Sequence, residues 1–471
     1  MKFSLFFIAL LIIPISNALV FHNVTVNNDV VKVNTTIKID AAKSYDIFEI
    51  SWEIPQENEI DYIKDEVGII SYKKQGNYIV FQTHRLNSNE RVINIQYTLK
   101  NSIYDDFVPL KKIQLYLSGF ENDQTIVNIY ANRIISGDAS FGFTEYFDDN
   151  FAQFVGNGSA DIVIYYGYSG REYENYLLFG STDITAADNA FSIIPNITGL
   201  PKPYKRFPVF VLDDSTFTSK IQPWGSATHM RGGLILIKRS IAEGQYNASI
   251  ILHETMHGFN SKVLKWNQVS PTWFEEGMSS YIEYLSNKHL GLKNPELFGD
   301  NKIFKEDGNK IFIKSKGSKT QLWEYYSTSK SFMEIWNPEN AETRDFGYAF
   351  SELIIRYSVM KNGIEKLSQA YSEIKEIKRP VTDYKESNKI LLNALNTNFM
   401  PCYSIDFEIF SNCLKEINKD ETEIPEIEIK PENITKVDVN INSVNKQKEE
   451  NLFDGIILFL QRIKPFKKFF S

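Results

Sequence analysis

The chain has 471 residues and a formal net charge of −8, from 51 Lys and Arg against 59 Asp and Glu. This length predicts two or three domains, and a hydrophobic share of 43% excludes global disorder. Because the balance is acidic and the body of the chain carries no basic stripe, nucleic acid is not an expected partner.

The N-terminus, residues 1–18, is typical of a secretory signal peptide. Lys2 precedes an apolar run to Ile13, and Ser16-Asn17-Ala18 offers small residues for cleavage. A membrane anchor would need about 20 apolar residues, so cleavage is favoured and the protein is predicted to be secreted or exposed on the extracytoplasmic cell surface. Asn-x-Ser/Thr glycosylation sequons agree with export and occur at Asn23, Asn34, Asn157, Asn196, Asn247 and Asn433.

The next two segments predict an α+β protein. Short β-rich runs separated by Asn, Asp and Gly indicate an antiparallel, β-rich N-terminal domain over residues 19–182. Helical spacing then appears and dominates the later part of residues 183–400. We therefore predict a second, mixed domain whose second half is mostly helical.

The C-terminal part is predicted to be a tether. Residues 401–450 hold a Cys pair and an acidic linker, and Cys402 and Cys413, the only cysteines, favour a disulfide in an exported protein. Residues 451–471 have the pattern of a basic amphipathic helix. This helix could contact a membrane surface or dock on the protein itself, and the sequence favours neither.

A metal-binding motif lies in the second domain. His253-Glu254-Thr255-Met256-His257 has the pattern His-Glu-x-x-His on a segment of helical character. Spacing of four residues puts His253 and His257 on one helix face, where both imidazoles can bind one zinc ion. Glu254 lies beside the metal, where it can act as a general base. The alternative is a surface helix that carries these residues by chance.

A second motif follows at a fixed distance. Eighteen residues separate His257 from Glu276, which lies within Trp273-Phe274-Glu275-Glu276-Gly277, and Tyr281 and Glu283 follow in the same helical segment. Together the two motifs resemble those of the gluzincin zinc metallopeptidases, most closely the aminopeptidase N type, although Met278 replaces a Phe. The resemblance implies a thermolysin-like catalytic domain with one zinc ion held by His253, His257 and Glu276. It also implies that Glu254 is the base and that Glu283 supports a ligand.

The resemblance implies two further sets of residues. A tyrosine that stabilises the oxyanion would correspond to Tyr348, although the segment lacks the Lys and Gly of the family pattern. Tyr325, Tyr326 and Tyr357 compete with it for that role. Upstream, Gly232, Gly233 and Leu234 open an apolar strand that corresponds to the substrate-pairing sheet edge of the family.

The family's amine-binding Glu is missing upstream of that strand. Met230 stands in its place, while His229 or Arg231 could address a polar substrate group and Glu275 could anchor an amine. The sequence thus favours an endopeptidase and an aminopeptidase activity nearly equally.

We therefore predict zinc-dependent hydrolysis of extracytoplasmic peptides or proteins by a metal-activated water. The alternative is a catalytically inactive peptide-binding protein on the same scaffold. The sequence does not predict the oligomeric state.

Overall fold

The computed structural model describes residues 18–420, apart from 28–29, 41–48, 55–57, 86–89, 100–102, 106–109, 168–169, 267–270, 294–303, 308–309, 316–317, 322–335, 342–343 and 404–406. Several predicted features lie outside the described residues: the signal peptide before Ala18, the acidic linker after Asp420, the C-terminal amphipathic helix at 451–471, and the candidates Tyr325 and Tyr326. Among the described helices, none is both long enough and apolar enough to span a membrane.

The N-terminal region is built of strands that bury alternate side chains. In β7, every second residue from Arg91 to Leu99 is buried, the pattern expected of a strand with one face on a core. The strands are β1 Ala18–Asn27, β2 Val30–Asp40, β3 Glu49–Glu53, β4 Glu59–Lys64, β5 Tyr72–Gln75, β6 Tyr78–Gln82, β7 Glu90–Leu99, β8 Ile103–Asp105, β9 Lys111–Leu117, β10 Gln124–Tyr130, β11 Ile134–Ala139, β12 Thr144–Asp148, β13 Phe151–Asn157 and β14 Ala160–Tyr166.

Three sheets enclose one apolar core in this region. Their strand orders are β12-β13-β10-β1-β2-β7-β4, β11-β14-β9-β8 and β3-β6-β5. The predicted antiparallel pairing holds except between β1 and β10, which run parallel. A parallel pair needs a long crossover, and β2 to β9 lie between these two strands in sequence.

The second region combines a mixed sheet with helices. Its strands are β15 Arg171–Glu172, β16 Tyr176–Phe179, β17 Phe207–Leu212, β18 Ala227–Met230 and β19 Leu234–Lys238, and a separate three-stranded sheet contains β20 Phe304–Asp307, β21 Lys310–Ser315 and β22 Ser318–Gln321. The helices are α1 Thr185–Ala190, α2 Ile193–Thr198, α3 Asp214–Lys220, α4 Arg239–Ala242, α5 Asn247–Val263, α6 Thr272–His289, α7 Arg344–Asn362, α8 Glu365–Lys375, α9 Tyr384–Ala394 and α10 Phe407–Asp420. Short 3₁₀ segments span Leu264–Trp266 and Pro401–Tyr403.

The mixed sheet has the order β15-β16-β17-β19-β18. Strands β16, β17 and β19 are parallel, and β18 runs antiparallel along the outer side of β19. Two of its strands, β15 and β16, precede the boundary predicted at residues 182–183. The architecture is thus α+β, with a β-rich N-terminal region and a mixed, later mostly helical region, as the sequence predicts.

Two links tie the C-terminal helices to the rest of the second region. Cys402 and Cys413 form a disulfide with a Cα–Cα distance of 5.4 Å, which connects the start of this segment to α10. The Tyr371 hydroxyl of α8 lies 2.6 Å from Asn260 Oδ1 of α5 and donates a hydrogen bond to it. The second of these links holds the helix that carries the first motif.

Candidate metal centre

Helix α5 presents the first motif to a cleft of about 650 Å³. Its buried side is apolar and includes Ile251, Leu252 and Phe259, which fixes the rotation of the helix. His253 and His257 therefore both face the cleft, with ring centroids 5.2 Å apart. Thr255, on the buried side, lies 2.9 Å from the Tyr176 hydroxyl of β16, which ties the helix to the sheet.

Helix α6 brings the second motif against the first. Gly277 is essential to this packing, because a Cβ atom there would lie 2.6 Å from the carbonyl oxygen of Ser351 in α7. Only glycine allows α6 and α7 to approach so closely. The approach places Glu276 opposite the two histidines and brings Tyr348 of α7 into the same cleft.

The three predicted ligands converge. One donor atom from each of His253, His257 and Glu276 lies within 4.8 Å of the others. Glu276 Oε2 is 3.4 Å from the Nε2 atoms of both histidines. It is nevertheless buried without a hydrogen-bond partner among the described residues.

This arrangement fits zinc. A buried carboxylate oxygen that accepts no hydrogen bond is costly unless a cation satisfies it. Two imidazoles and one carboxylate are the protein ligands that a catalytic zinc site provides, with one position left for water or substrate. His253, His257 and Glu276 are therefore well placed to hold the ion.

The charges of the cluster are strongly coupled. Burial alone would raise the pKa of Glu276, but His257 and His253 outweigh it and lower this pKa to about 2. Burial would lower the pKa of the histidines, yet the surrounding carboxylates raise it in both. The cleft thus favours a carboxylate with a positive charge beside it, as a metal ligand set does.

Two further carboxylates face the outer ring nitrogens of the histidines. Glu283 Oε2 lies 3.2 Å from His253 Nδ1 and accepts a hydrogen bond when that nitrogen is protonated. Such a bond leaves Nε2, the atom that faces Glu276, free to bind a metal. Glu275 Oε2 lies 4.0 Å from His257 Nδ1, so it faces this ligand as a charge without a direct hydrogen bond.

Glu254 lies in the same cleft but outside the ligand group. It is buried, and burial raises the pKa of its carboxyl group. The backbone N–H of His229 in β18 hydrogen-bonds to it. A carboxylate with a raised pKa is a better proton acceptor at neutral pH than an exposed one.

Tyr348 lines the cleft beside these carboxylates. Burial, together with the charges of Glu276 and Glu254, raises the pKa of its phenol far above the usual value. The hydroxyl is therefore neutral and can donate a hydrogen bond. Of its described competitors, Tyr357 lies on the same helix but does not line the cleft.

The predicted substrate strand requires a correction. Leu234 begins β19, which is paired on both sides, with β17 and with β18, and therefore has no free edge. Gly232 and Gly233 form the preceding turn with φ of +88° and +81° and pack on Tyr165 and Tyr204. The edge strand is β18, whose first three residues, Ala227 to His229, line the cleft.

The structure separates the two neighbouring residues that could address a polar substrate group. Arg231 turns away from the cleft and contacts the N-terminal region, with Nη1 2.7 Å from Asp161 Oδ2 and Nε 3.1 Å from Asp138 Oδ2. His229 lies half-buried in β18 and lines the cleft, and its ring stacks on His257 with centroids 6.4 Å apart. Burial, with the charge of His257, lowers the pKa of His229 to about 3, so its ring is neutral.

No protein-family profile and no curated protein matches this sequence. Among solved structures, the chain is similar to the M1 zinc metallopeptidase of Deinococcus radiodurans, with 12% identity, a TM-score of 0.37 and coverage of 86% of this chain and 92% of the other. It is also similar to Legionella pneumophila aminopeptidase A in complex with aspartic acid, with 10% identity, a TM-score of 0.41 and coverage of 82% and 48%. Native leukotriene A4 hydrolase of Saccharomyces cerevisiae gives 10% identity, a TM-score of 0.38 and coverage of 82% and 67%.

Proposed function

We propose that this chain is a zinc-dependent peptidase that hydrolyses peptide bonds in extracytoplasmic peptides or proteins. The observation that supports this most strongly is the unpaired Glu276 oxygen, 3.4 Å from the inner nitrogens of both motif histidines. A bound zinc ion supplies a Lewis acid that polarises the peptide carbonyl and makes water a nucleophile at neutral pH.

The remaining chemistry belongs to side chains of the cleft. Glu254 accepts a proton from the attacking water and passes it to the leaving amine nitrogen. Tyr348 donates a hydrogen bond to the carbonyl oxygen as negative charge develops there. Both roles agree with the pKa shifts, since burial makes Glu254 more basic and keeps the phenol protonated.

The edge strand is suited to hold the substrate backbone. Within the described sheet, β18 pairs with β19 on one side, and on the other side residues from Ala227 to His229 line the cleft. An extended peptide can add to such an edge through backbone hydrogen bonds. We propose β18, in place of Gly232, Gly233 and Leu234, as the substrate-pairing strand.

One set of assays tests the reaction. The purified chain is analysed for zinc and incubated with a peptide library with and without chelator. The Glu254→Gln variant is compared with wild type and with Glu373→Gln, a matched change on the exposed face of α8. We expect chelator-sensitive cleavage, a loss of about 10²- to 10⁴-fold in Glu254→Gln at equal zinc content, and normal cleavage by the control.

The outcomes separate the two classes of function. A wild-type chain that binds zinc and peptides but cleaves none of them is the inactive binding protein. Full activity in Glu254→Gln removes this residue from the mechanism. Peptides with blocked and free N-termini in the same library distinguish an endopeptidase, which cleaves both, from an aminopeptidase, which needs the free amine.

The proposed location outside the cytoplasm agrees with the exposure of the sequons. Asn23, Asn34, Asn157 and Asn196 are exposed, whereas the Asn247 amide bonds to two backbone carbonyls. We expect glycans at the first four and none at Asn247. Mass spectrometry of exported protein tests this, together with a mature N-terminus at Leu19; retention of residues 1–18 would contradict the cleaved signal.

A further inference from the structure

A second cavity lies between the N-terminal region and the helices. Its volume is about 700 Å³, and it shares no lining residue with the metal cleft. Phe259 and Val263 of α5 form part of its wall, and Phe143 of the N-terminal region forms another part. Cavities of this size at the junction of two regions are common ligand sites.

The cavity has an apolar floor. Phe143, Leu200, Phe259 and Trp266 line it and are each less than one-tenth exposed. These side chains belong to different parts of the chain that meet only in the folded protein. A ligand that covers the floor would remove apolar surface from water at about 25 cal/mol per Å².

The same cavity is bordered by cations. Five lysines line it and no Asp or Glu does, among the residues that the structure describes. Two of the five are already paired, because Lys262 and Lys265 each lie within 3 Å of Asp138 and Glu145.

The other three lysines lack such a partner. Lys202 Nζ donates to the Glu174 carbonyl and to Asn175 Oδ1, which are both neutral acceptors. Lys378 Nζ donates to the Lys375 carbonyl, and both of these lysines are exposed. Within the described part of the chain, no carboxylate makes an ion pair with any of the three. The mouth of the cavity therefore attracts anions.

We propose that this cavity binds an acyl chain that ends in a carboxylate, such as a fatty acid. The hydrocarbon chain covers the apolar floor, and the carboxylate lies beside Lys375 and Lys378, because the Lys202 ammonium already donates to Glu174 and Asn175 outside the cavity. A small inorganic anion would leave the floor in water, and a neutral apolar molecule would leave the lysines unpaired. Only an amphipathic anion matches both parts of the lining.

The test measures binding of decanoate by calorimetry, below its micelle concentration. Full-length protein is made in bacteria, where Asn157, an exposed lining residue that is expected to carry a glycan in the exported protein, stays unmodified, so that the affinity reports the protein lining alone. Decanol and decyltrimethylammonium have the same chain length with no charge and with the opposite charge. We expect decanoate to bind roughly tenfold more tightly than decanol, and the cation to bind least.

Charge reversal at two of the lysines tests where the carboxylate of decanoate binds. The double variant Lys375→Glu/Lys378→Glu should weaken decanoate binding roughly tenfold or more and leave decanol binding unchanged. The matched control is Lys385→Glu/Lys389→Glu on α9, which changes the charge equally on exposed positions outside the cavity. It should retain wild-type affinity for decanoate.

A substitution that fills the cavity tests whether the hydrocarbon chain of the ligand binds there. Val263→Trp places a large ring in the wall and should abolish binding of decanoate and decanol together, while zinc content stays at the wild-type level and reports a folded chain. The proposal is overturned if decanoate does not bind, if it binds no better than decyltrimethylammonium, or if charge reversal at 375 and 378 leaves its affinity unchanged.

Discussion

Helix α5, together with the 3₁₀ segment that follows it, carries two charged clusters, and the two are built in opposite ways. Around His253 and His257, four carboxylates converge, and one oxygen of Glu276 has no hydrogen-bond partner in the described structure. At the other end, Lys262 and Lys265 meet two carboxylates, Asp138 and Glu145, at distances from 2.5 to 2.9 Å. One cluster has a deficit of positive charge and the other is balanced.

The difference distinguishes a candidate metal-binding site from a group of ion pairs that stabilises the fold. In the balanced cluster each charge has its partner inside the protein, and the result is a link between α5 and the N-terminal region. In the other cluster the protein buries more negative charge than it neutralises, a cost that folding alone does not explain. The deficit is where a cation is expected, and this contrast leads to four predictions.

The largest effect is expected for Glu276→Gln. This variant should lose zinc binding and, with it, peptidase activity. Without zinc it should be no more stable than wild type at neutral pH, because the charge of Glu276, whose pKa the two histidines lower to about 2, is paired with them. Thermal unfolding without added zinc measures the stability of the metal-free variant, and unfolding with added zinc measures how much the metal stabilises it. A variant that zinc still stabilises as much as wild type would show that Glu276 is not a ligand.

Next in size is Tyr348→Phe. Removing one donor from an oxyanion site costs about 10²-fold or more in kcat, and zinc content should not change. Tyr357→Phe, on the same helix but outside the cleft, is the matched control and should leave kcat unchanged. Initial rates over a range of peptide concentrations provide the comparison. A kcat near that of wild type in Tyr348→Phe would remove the phenol from the mechanism.

A smaller effect is expected for Glu283→Gln, since this carboxylate acts on the metal through His253. Loss of such a supporting charge commonly lowers metal affinity or activity about 10- to 100-fold. Titration with a competing chelator measures zinc affinity, and Glu373→Gln again serves as a control. Unchanged affinity would mean that Glu283 only fills space beside the imidazole.

Sequence alone predicts which residues form the cluster of His253, His257 and Glu276, because their spacing is local. A spacing of four residues from His253 to His257 fixes a shared helix face, and Glu276 follows on the next long helix. The strand positions are predicted less well. Which strand forms the sheet edge depends on pairing between distant segments, and an apolar run such as Leu234–Lys238 fits an inner strand as well as an outer one.

Long-range contacts also explain what the sequence did not predict. Arg231 stands beside cleft residues in sequence, yet its partners are Asp138 and Asp161, 93 and 70 residues away. His229 becomes part of the cleft only because β18 packs along α5. The lysine-lined cavity has no sequence pattern at all, since its residues come from segments between Phe141 and Lys378.

The smallest effect on activity is expected in the balanced cluster. Asp138→Asn leaves Lys262, Lys265 and Arg231 with one fewer carboxylate and should lower the free energy of unfolding by about 1–3 kcal/mol, while the rate of peptide cleavage by the folded protein stays near that of wild type. Asp149→Asn is the matched control, because its ion pair with Lys205 is exposed and contributes less than about 1 kcal/mol. Urea unfolding midpoints at neutral pH measure the difference.

The pH dependence of that difference identifies its cause. Burial would raise the pKa of Asp138, but Lys262 and Lys265 outweigh it and lower this pKa below its usual range. A carboxyl group with a lowered pKa stabilises the fold above its unfolded pKa, near 4, and loses that contribution as the pH falls toward the folded value. The gap in urea midpoint between wild type and Asp138→Asn should therefore be full at pH 7 and should narrow below about pH 4. A gap that stays constant down to pH 3 would mean that Asp138 stabilises the junction by packing and not by its charge.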